Sequence, residues 1–271
     1  MSQVRVRVSI VIPAYNEERH LKASLQAIAN QSQQAFEVLV VNNASTDNTE
    51  AIARQFPFVT VLHEQQKGIV YARNCGFNLA KGDIIARIDA DTILPPNWIE
   101  QVQQFYALPQ HARWVLTGGC RFYNLLTGSL TGHGYNFFVH RTNRLLLGYY
   151  LPWGSNMALP RQVWQAVADK TCLRTDVHED LDLGLHLHQA GYKVCYLPRL
   201  RVEAVARRIM SDHKLLWPYL MMWPRTFRIH GISRFVSFCT WLTAGIVWMG
   251  SIGVFVTENL TRFITRRSID Y

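Results

Sequence analysis

The sequence predicts an α/β protein, with a mostly parallel sheet covered by helices on both faces. Three observations carry this. Short apolar runs alternate with helix-patterned segments from residue 6 to about residue 106. Polar, turn-forming residues follow each apolar run. Hydrophobic residues make up 49% of the 271, enough to bury a sizeable core.

Residues 6–13 read as a buried strand closed by Pro13. Asn16 is expected to cap a helix with the stripe Leu21, Leu25 and Ile28, with Glu17 and Glu18 in its first turn. Residues 36–41 form the second strand, and the polar turn 42–47 opens another helix. Residues 59–62 are a third strand, and 69–80 a helix stopped at Gly82. Residues 83–88 form a fourth strand that runs into Asp89-Ala90-Asp91. Pro95 and Pro96 start a helix carrying Trp98, Val102 and Phe105. Residues 118–150 are aromatic and loop-rich, with no element assigned. Residues 160–168 and 179–190 read as helices, and 192–197 as a strand. In such sheets ligands bind beyond the carboxyl ends of the strands, where these polar segments fall.

The formal charge of +9 is unevenly spread. Residues 1–198 carry 17 Lys/Arg against 15 Asp/Glu, and residues 199–271 carry 11 against 4. The basic excess sits beside the most apolar part of the chain, which suits an anionic membrane better than a nucleic-acid groove. Five cysteines, odd in number and without a Cys-x-x-Cys pair, argue against a disulfide framework or a zinc finger. The N-terminus runs into a strand pattern without a signal-peptide core, so the catalytic part is expected in the cytoplasm.

Asp89 and Asp91 lie at the end of the strand IIARI, where two carboxylates can hold a hard divalent cation beside a diphosphate. Asp180-Leu181-Asp182 has the same spacing but falls in a helix, where residues two apart face different sides. Glu179 or Asp180 is a candidate general base at a helix start. His178, His186 and His188 show no ligand pattern and read as surface or core histidines. No Gly-x-Gly-x-x-Gly follows the first strand and no P-loop exists, so a nucleotide must be held another way.

VSIVIPAYNEE (residues 8–18), VVNNASTDNT (40–49), GIVYARNCG (68–76), the Asp89/Asp91 pair and HEDLDLGLHL (178–187) occur in that order. Together they resemble the family 2 glycosyltransferases of the GT-A fold, a Rossmann-like sheet flanked by helices, over residues 6–208. The resemblance implies an inverting enzyme that moves one sugar from a nucleoside-diphosphate sugar to an acceptor hydroxyl. It implies a UDP-sugar donor first, with GDP- and TDP-sugars as alternatives, and Mg²⁺ or Mn²⁺ as cofactor.

The site follows from the same resemblance. Pro13, Ala14, Tyr15 and Glu17 wall the nucleotide base. Asn42 stands where relatives often carry a base-reading aspartate. Asp47 matches the Ser-Thr-Asp turn, and Arg73 a residue near base and phosphate. Asp91 is the direct metal ligand, with Asp89 on ribose or a metal-bound water. Asp180 is the base, supported by Glu179. Trp153, Gly154, Ser155 and Asn156 form the acceptor-side loop, and Arg207 and Arg208 close over the diphosphate. The Gln-x-x-Arg-Trp motif of processive synthases is missing. A nucleotidyltransferase on a related sheet, or a catalytically silent membrane-associated binding protein, are the alternatives.

The expected organisation is a catalytic domain at 1–208, an interfacial linker at 209–234, a membrane-inserted helix at 235–257 and a basic tail at 258–271. Residues 235–257 hold no charge, and 23 helical residues can cross a hydrocarbon core of roughly 30 Å. A buried hairpin or a dimer contact is the other reading. The acceptor is expected to be a glycan, lipid-linked or of the cell envelope.

Overall fold

The computed structural model describes residues 6–210 and 213–265. β1 (Val8–Ala14) is buried at every position, as a strand covered on both faces must be. Its side chains alternate: Val8, Ile10 and Ile12 enter one core layer, and Val11 the other. β2 (Glu37–Asn42) and β4 (Ile84–Arg87) flank β1 in parallel, and β3 (Val59–His63) extends the sheet beyond β2. β5 (Trp114–Phe122), β6 (Met157–Pro160) and β7 (Lys193–Ala204) complete seven strands in the order β3-β2-β1-β4-β6-β5-β7. β6 runs antiparallel to both β4 and β5, whereas β5 and β7 are parallel.

α1 (Leu21–Ala29) and α4 (Trp98–Tyr106) cover one face of the sheet, with Leu21, Leu25, Trp98 and Val102 in its core layer. α2 (Thr49–Ala53) is a short helix after β2. α3 (Ile69–Leu79) covers the other face and comes close to it. A Cβ on Gly76 would meet Val11 Cγ1 at 2.3 Å, so only glycine lets that helix lie there.

α5 (Gly128–Asn136), a π-helical turn at Phe137–Thr142 and α6 (Asn143–Leu147) fill the segment left unassigned by sequence. α7 (Arg161–Gln165) and α8 (Glu179–Gln189) join the α3 face through Val163, Trp164, Leu183 and Leu187. α9 (Arg207–Met210), α10 (His213–Ile229) and α11 (Arg234–Thr265) follow β7.

The α/β expectation and the terminal apolar helix hold, with three local corrections. Asn16 does not cap α1, which starts at Leu21 after His20 without a side-chain cap. It is a left-handed residue (φ 54°) whose Oδ1 accepts from Thr46 N at 2.8 Å, tying the loop after β1 to the loop after β2. The strands β5 and β6 lie within or beside segments read as loop or helix. And α11 is unbroken across residue 257, the expected edge of an inserted segment; it ends at Thr265 among the described residues, while 266–271 of the expected tail lie outside them.

Candidate active site

Strand parity decides what β4 carries to its C-terminal edge. Ile84, Ala86 and Ile88 point into the α1/α4 layer and Ile85 to the α3/α8 face, so Arg87 also points toward α8. Its guanidinium is 2% exposed and meets three carboxylates. Nη1 donates to Asp180 Oδ1 at 2.6 Å, and Nη2 donates to Glu179 Oε1 and Asp89 Oδ1, each at 3.1 Å. Burial works against the charge on Arg87, but the three acids together raise its pKa.

Asp180 is held on both sides. Its Oδ2 accepts from the Gly154 N–H at 2.7 Å while Oδ1 takes Arg87. A Cβ on Gly154 would lie 2.4 Å from Arg87 Cζ, so glycine is needed where the chain crosses the guanidinium. Burial pushes the Asp180 carboxyl up, to about 7; Arg87 opposes this, while Glu179 and Asp89 add to it. Burial also acts on Glu179, but there Arg87, His178 and Arg73 prevail and hold it at about 2. Of the two buried acids on this guanidinium, Asp180 is therefore pushed toward holding a proton and Glu179 toward staying ionised.

A second charged group sits beside this node. Arg207 of α9 donates to Glu17 Oε1 and Oε2 at 3.0 and 3.1 Å and to Asp91 Oδ2 at 3.0 Å. Burial raises Glu17 to about 6, with Arg207 pulling it back and Asp91 and Asp89 raising it further. A cleft of about 690 Å³ opens here, lined by Asn16, Glu18, His20, Asp47, Val205 and Arg207. Tyr15, next in the chain to the lining residue Asn16, is 46% exposed, with Lys67 Nζ 5.1 Å from its ring centroid. Pro13 and Ala14 are buried in the strand beneath it. Asp47 knits the floor: Oδ1 accepts from Thr49 N, and Oδ2 from Glu18 N.

Several expected site residues are turned elsewhere. Arg73 is fully buried behind α8, donating to the Glu179 carbonyl and to Asn74 Oδ1, and does not face the cleft. Its role is to brace the start of α8 under the two acids. The Asn42 amide is committed to Glu50 and Ser45, and so shapes the turn that holds Ala44 left-handed at φ 56°. Asn156 is 1% exposed, accepting from Trp98 Nε1 and donating to the Gly119 and Leu200 carbonyls. Trp153 packs with Leu181, Trp223 and Phe227, and Ser155 is buried. Of the acceptor-side loop, only Gly154 touches the charged node directly. Arg208 follows Arg207 on α9, with its side chain outside the described residues.

Two features were missed by sequence reasoning. Arg87 lies inside the run IIARI, read only as an apolar strand, and has no predicted role. The other is Asp182, a fully buried carboxylate that joins α8 to α10: it accepts from Cys172 N at 2.8 Å, and lies 2.8 Å from His230 Nε2 and 3.6 Å from His186 Nε2. The i,i+4 spacing of Asp182 and His186 was the available signal; the distant His230 left none.

Residues 9–163, more than half of the chain, match the family model described as Glycosyl transferase family 2. The chain belongs to glycosyl transferase family 2. Among family 2 relatives, the glycosyltransferase GlyG of Streptococcus pneumoniae is 36% identical over 102 residues, and the glycosyltransferase AglE of Haloferax volcanii is 37% identical over 101. These alignments cover 36% and 35% of this chain, and only about a third of either relative (34% and 33%). Among solved structures, the mannosyltransferase PcManGT from Pyrobaculum calidifontis, in complex with GDP-Man and Mn²⁺, matches 96% of this chain and 76% of its own with a TM-score of 0.67 at 19% identity. Staphylococcus aureus TarS 1–349, in complex with UDP-GlcNAc, matches 93% and 81% with a TM-score of 0.58 at 15% identity. At these identities the likeness establishes the GT-A fold that the motifs implied.

Proposed function

We propose that this family 2 chain is an inverting, metal-dependent glycosyltransferase that moves one sugar from a nucleoside-diphosphate sugar to an acceptor hydroxyl. The observation that carries the reading is the Arg87 node: the Asp180 carboxyl, fixed between Arg87 and the Gly154 N–H at the strand edge, beside a second group in which Arg207 bridges Glu17 and Asp91. PcManGT and TarS hold GDP-Man and UDP-GlcNAc, which supports a nucleotide-sugar donor in the 690 Å³ cleft, a UDP-sugar first and GDP- or TDP-sugars next. Tyr15 offers the base an exposed aromatic face.

The donor set fits a hard divalent cation. Asp91 and Asp89 offer carboxylate oxygens at a strand end, and Asp91 already carries a positive partner in the Arg207 guanidinium. Mg²⁺ or Mn²⁺ bound through Asp91, with Asp89 beside it, would supply charge neutralisation for the diphosphate leaving group.

The chain's own residues perform the rest. Arg207 has two carboxylates to leave and a diphosphate to meet, so donor binding exchanges its Glu17 and Asp91 contacts for phosphate oxygens. Asp180 takes the acceptor proton as the hydroxyl attacks the anomeric carbon from the face opposite the leaving group. Arg87 and the Gly154 N–H fix the direction of its lone pairs. Glu179, ionised and bonded to Arg87, keeps that cation balanced while Asp180 gains a proton.

The acceptor we assign to a lipid-linked or cell-envelope glycan, with the protein at a membrane and its catalytic domain on the cytoplasmic side. Support comes from the apolar α11 and the basic 199–271 segment. A screen of UDP-, GDP- and TDP-sugars with membrane extract, reading nucleoside diphosphate release, tests the reading. Release from one donor that depends on both divalent metal and extract is expected. Pyrophosphate formation from a sugar phosphate and a nucleoside triphosphate would instead establish a nucleotidyltransferase.

A further inference from the structure

α11 has its polarity inside out. Residues 237, 240, 244, 251 and 258 recur at helical spacing and are all buried against the protein: Ser237, Thr240, Ala244, Ser251 and Glu258. Alongside the inward-packed Val236, Trp248, Val254 and Phe255, six large apolar residues face away from it: Phe238, Leu242, Ile246, Met249, Val256 and Leu260 are 44–62% exposed. A helix docked on a water-soluble protein does the reverse and turns its apolar stripe inward. Small and hydroxyl-bearing residues inward with large apolar residues outward is the pattern of a helix whose solvent is lipid.

The helix also stays against the rest of the protein from Val236 to Arg262, on the catalytic domain at both ends and on α10 between. Near its start Val236 packs on the cluster of Leu181 and Trp153, and Leu181 directly follows Asp180. At mid-length Ala244 meets Leu216 and Leu220 of α10. Further on, Val254 and Phe255 pack on the core of the sheet. Glu258 then accepts from the backbone N–H groups of Leu126 and Thr127 at 3.0 and 2.8 Å, and Arg262 donates to the Asn124 carbonyl. From Val236 to Arg262 is about 39 Å at 1.5 Å per residue, longer than a hydrocarbon core of roughly 30 Å. A spanning helix fixed to the domain at both ends would have to drag Glu258, the α5 terminus and the sheet edge into the bilayer, at a desolvation cost that forbids it.

We propose that α11 lies in the plane of an anionic membrane surface, its outward face sunk in the acyl boundary and its inward face fixed to the catalytic domain. This is a surface-lying form of the membrane-inserted helix expected for residues 235–257, in place of a spanning one. The charge supports an anionic bilayer over a second copy of the chain: residues 199–271 carry 11 Lys/Arg against 4 Asp/Glu, and Arg228 and Arg234 are exposed at the turn into α11. Arg228 and Arg234, exposed where α11 begins, would meet their own counterparts unfavourably in a second copy but suit anionic headgroups. The placement also brings the membrane close to the chemistry, since α10, packed along α11, bonds Tyr219 and Thr226 to His178 beside Glu179.

The test uses the full chain with the part-exposed Cys75, Cys172, Cys195 and Cys239 replaced by alanine, and an environment-sensitive fluorophore placed on single cysteines at Leu242, Met249, Val256 and Leu260, or inward at Thr240 and Ser251. Vesicles of phosphatidylglycerol and phosphatidylethanolamine carry spin labels at shallow or deep acyl positions. The outward sites should all shift to the blue and be quenched alike by the shallow label, with the inward sites unmoved. Quenching by the deep label that peaks near Met249 would establish a spanning helix and overturn the proposal. So would outward signals that respond to protein concentration and not to vesicles, which would mean a second copy covers the face. In a second arm, Leu242→Glu/Met249→Glu/Val256→Glu should lower vesicle partition at least tenfold, and unchanged partition overturns the proposal. Calorimetric donor binding by the same sample separates these outcomes from a failure of the glycosyltransferase reading, because the three positions lie outside the cleft.

Discussion

Replacing Arg87 with methionine asks whether the node is held by charge. The side chain is 2% exposed, and methionine fills much of its volume without its cation. What remains is Asp180, Glu179 and Asp89 facing one another, the first two largely buried, with the Gly154 N–H, His178 and Arg73 nearby to compensate. Removing one partner of a buried ion pair costs about 3–5 kcal/mol, mostly because the other charge is stranded. The loss must depend on pH, and its sign follows from linkage. Without Arg87 the folded pKa values of Glu179 and Asp180 both rise above those of the unfolded chain, so the folded state of the mutant holds extra protons between about pH 4 and neutrality. The mutant therefore recovers stability as pH falls. In the parent, Glu179 is already held at about 2, so only Asp180, at about 7, gains a proton over the same range. Urea midpoints of Arg87→Met and the parent at pH 5 and pH 8 measure this, with the full deficit expected at pH 8 and a clearly smaller one at pH 5. A deficit that is equal at both values, or below about 1 kcal/mol at pH 8, would mean that packing and not charge holds the node.

Asp180→Asn should cut turnover by several orders of magnitude with donor affinity nearly unchanged, and Glu179→Gln should be milder; steady-state kinetics with donor calorimetry reads both, and the reverse order would exchange the two roles. Because Asp180 must be ionised to accept a proton, kcat should rise tenfold per pH unit on the acid side and level off above about pH 7. A profile that is flat from pH 5.5 to 8.5 would remove Asp180 as the base. Asp91→Asn should abolish Mn²⁺-dependent binding of nucleoside diphosphate while leaving the melting temperature within a few degrees, and unchanged metal-dependent binding would displace Asp91 as the ligand.

The first half of the fold was legible because parallel strands buried on both faces must be nearly continuous apolar runs, and VSIVIPA, EVLVVN and IIAR are. β6 escaped because MALP is four residues ending in proline, and its partners lie about 40 and 70 residues upstream. β5 escaped because Gly118 and Gly119 sit in its middle, at the register shift that lets Asn156 pack beneath it. The site divides in the same way. Asp89, Asp91, Glu179 and Asp180 stand at predictable strand and helix ends, so their approximate place could be read. What each acid does there depends on Arg87, and its pairing with Asp180 spans 93 residues.

The same limit and its exception meet in α11. Length and composition alone suggested a membrane-inserted helix long enough to cross, and neither says which residues share a side. The stripe Ser237, Thr240, Ala244, Ser251 and Glu258 was present in the sequence at helical spacing, and it carries the one acid between Arg234 and Arg262. A charge at the end of an otherwise apolar helix reads as a boundary when position along the chain is the only coordinate. Once angle around the helix is added, Glu258 falls in line with the small residues and becomes a contact of the docked face. Its hydrogen bonds to Leu126 and Thr127 are therefore the structural counterpart of a periodicity that hydropathy averaged over a window must erase.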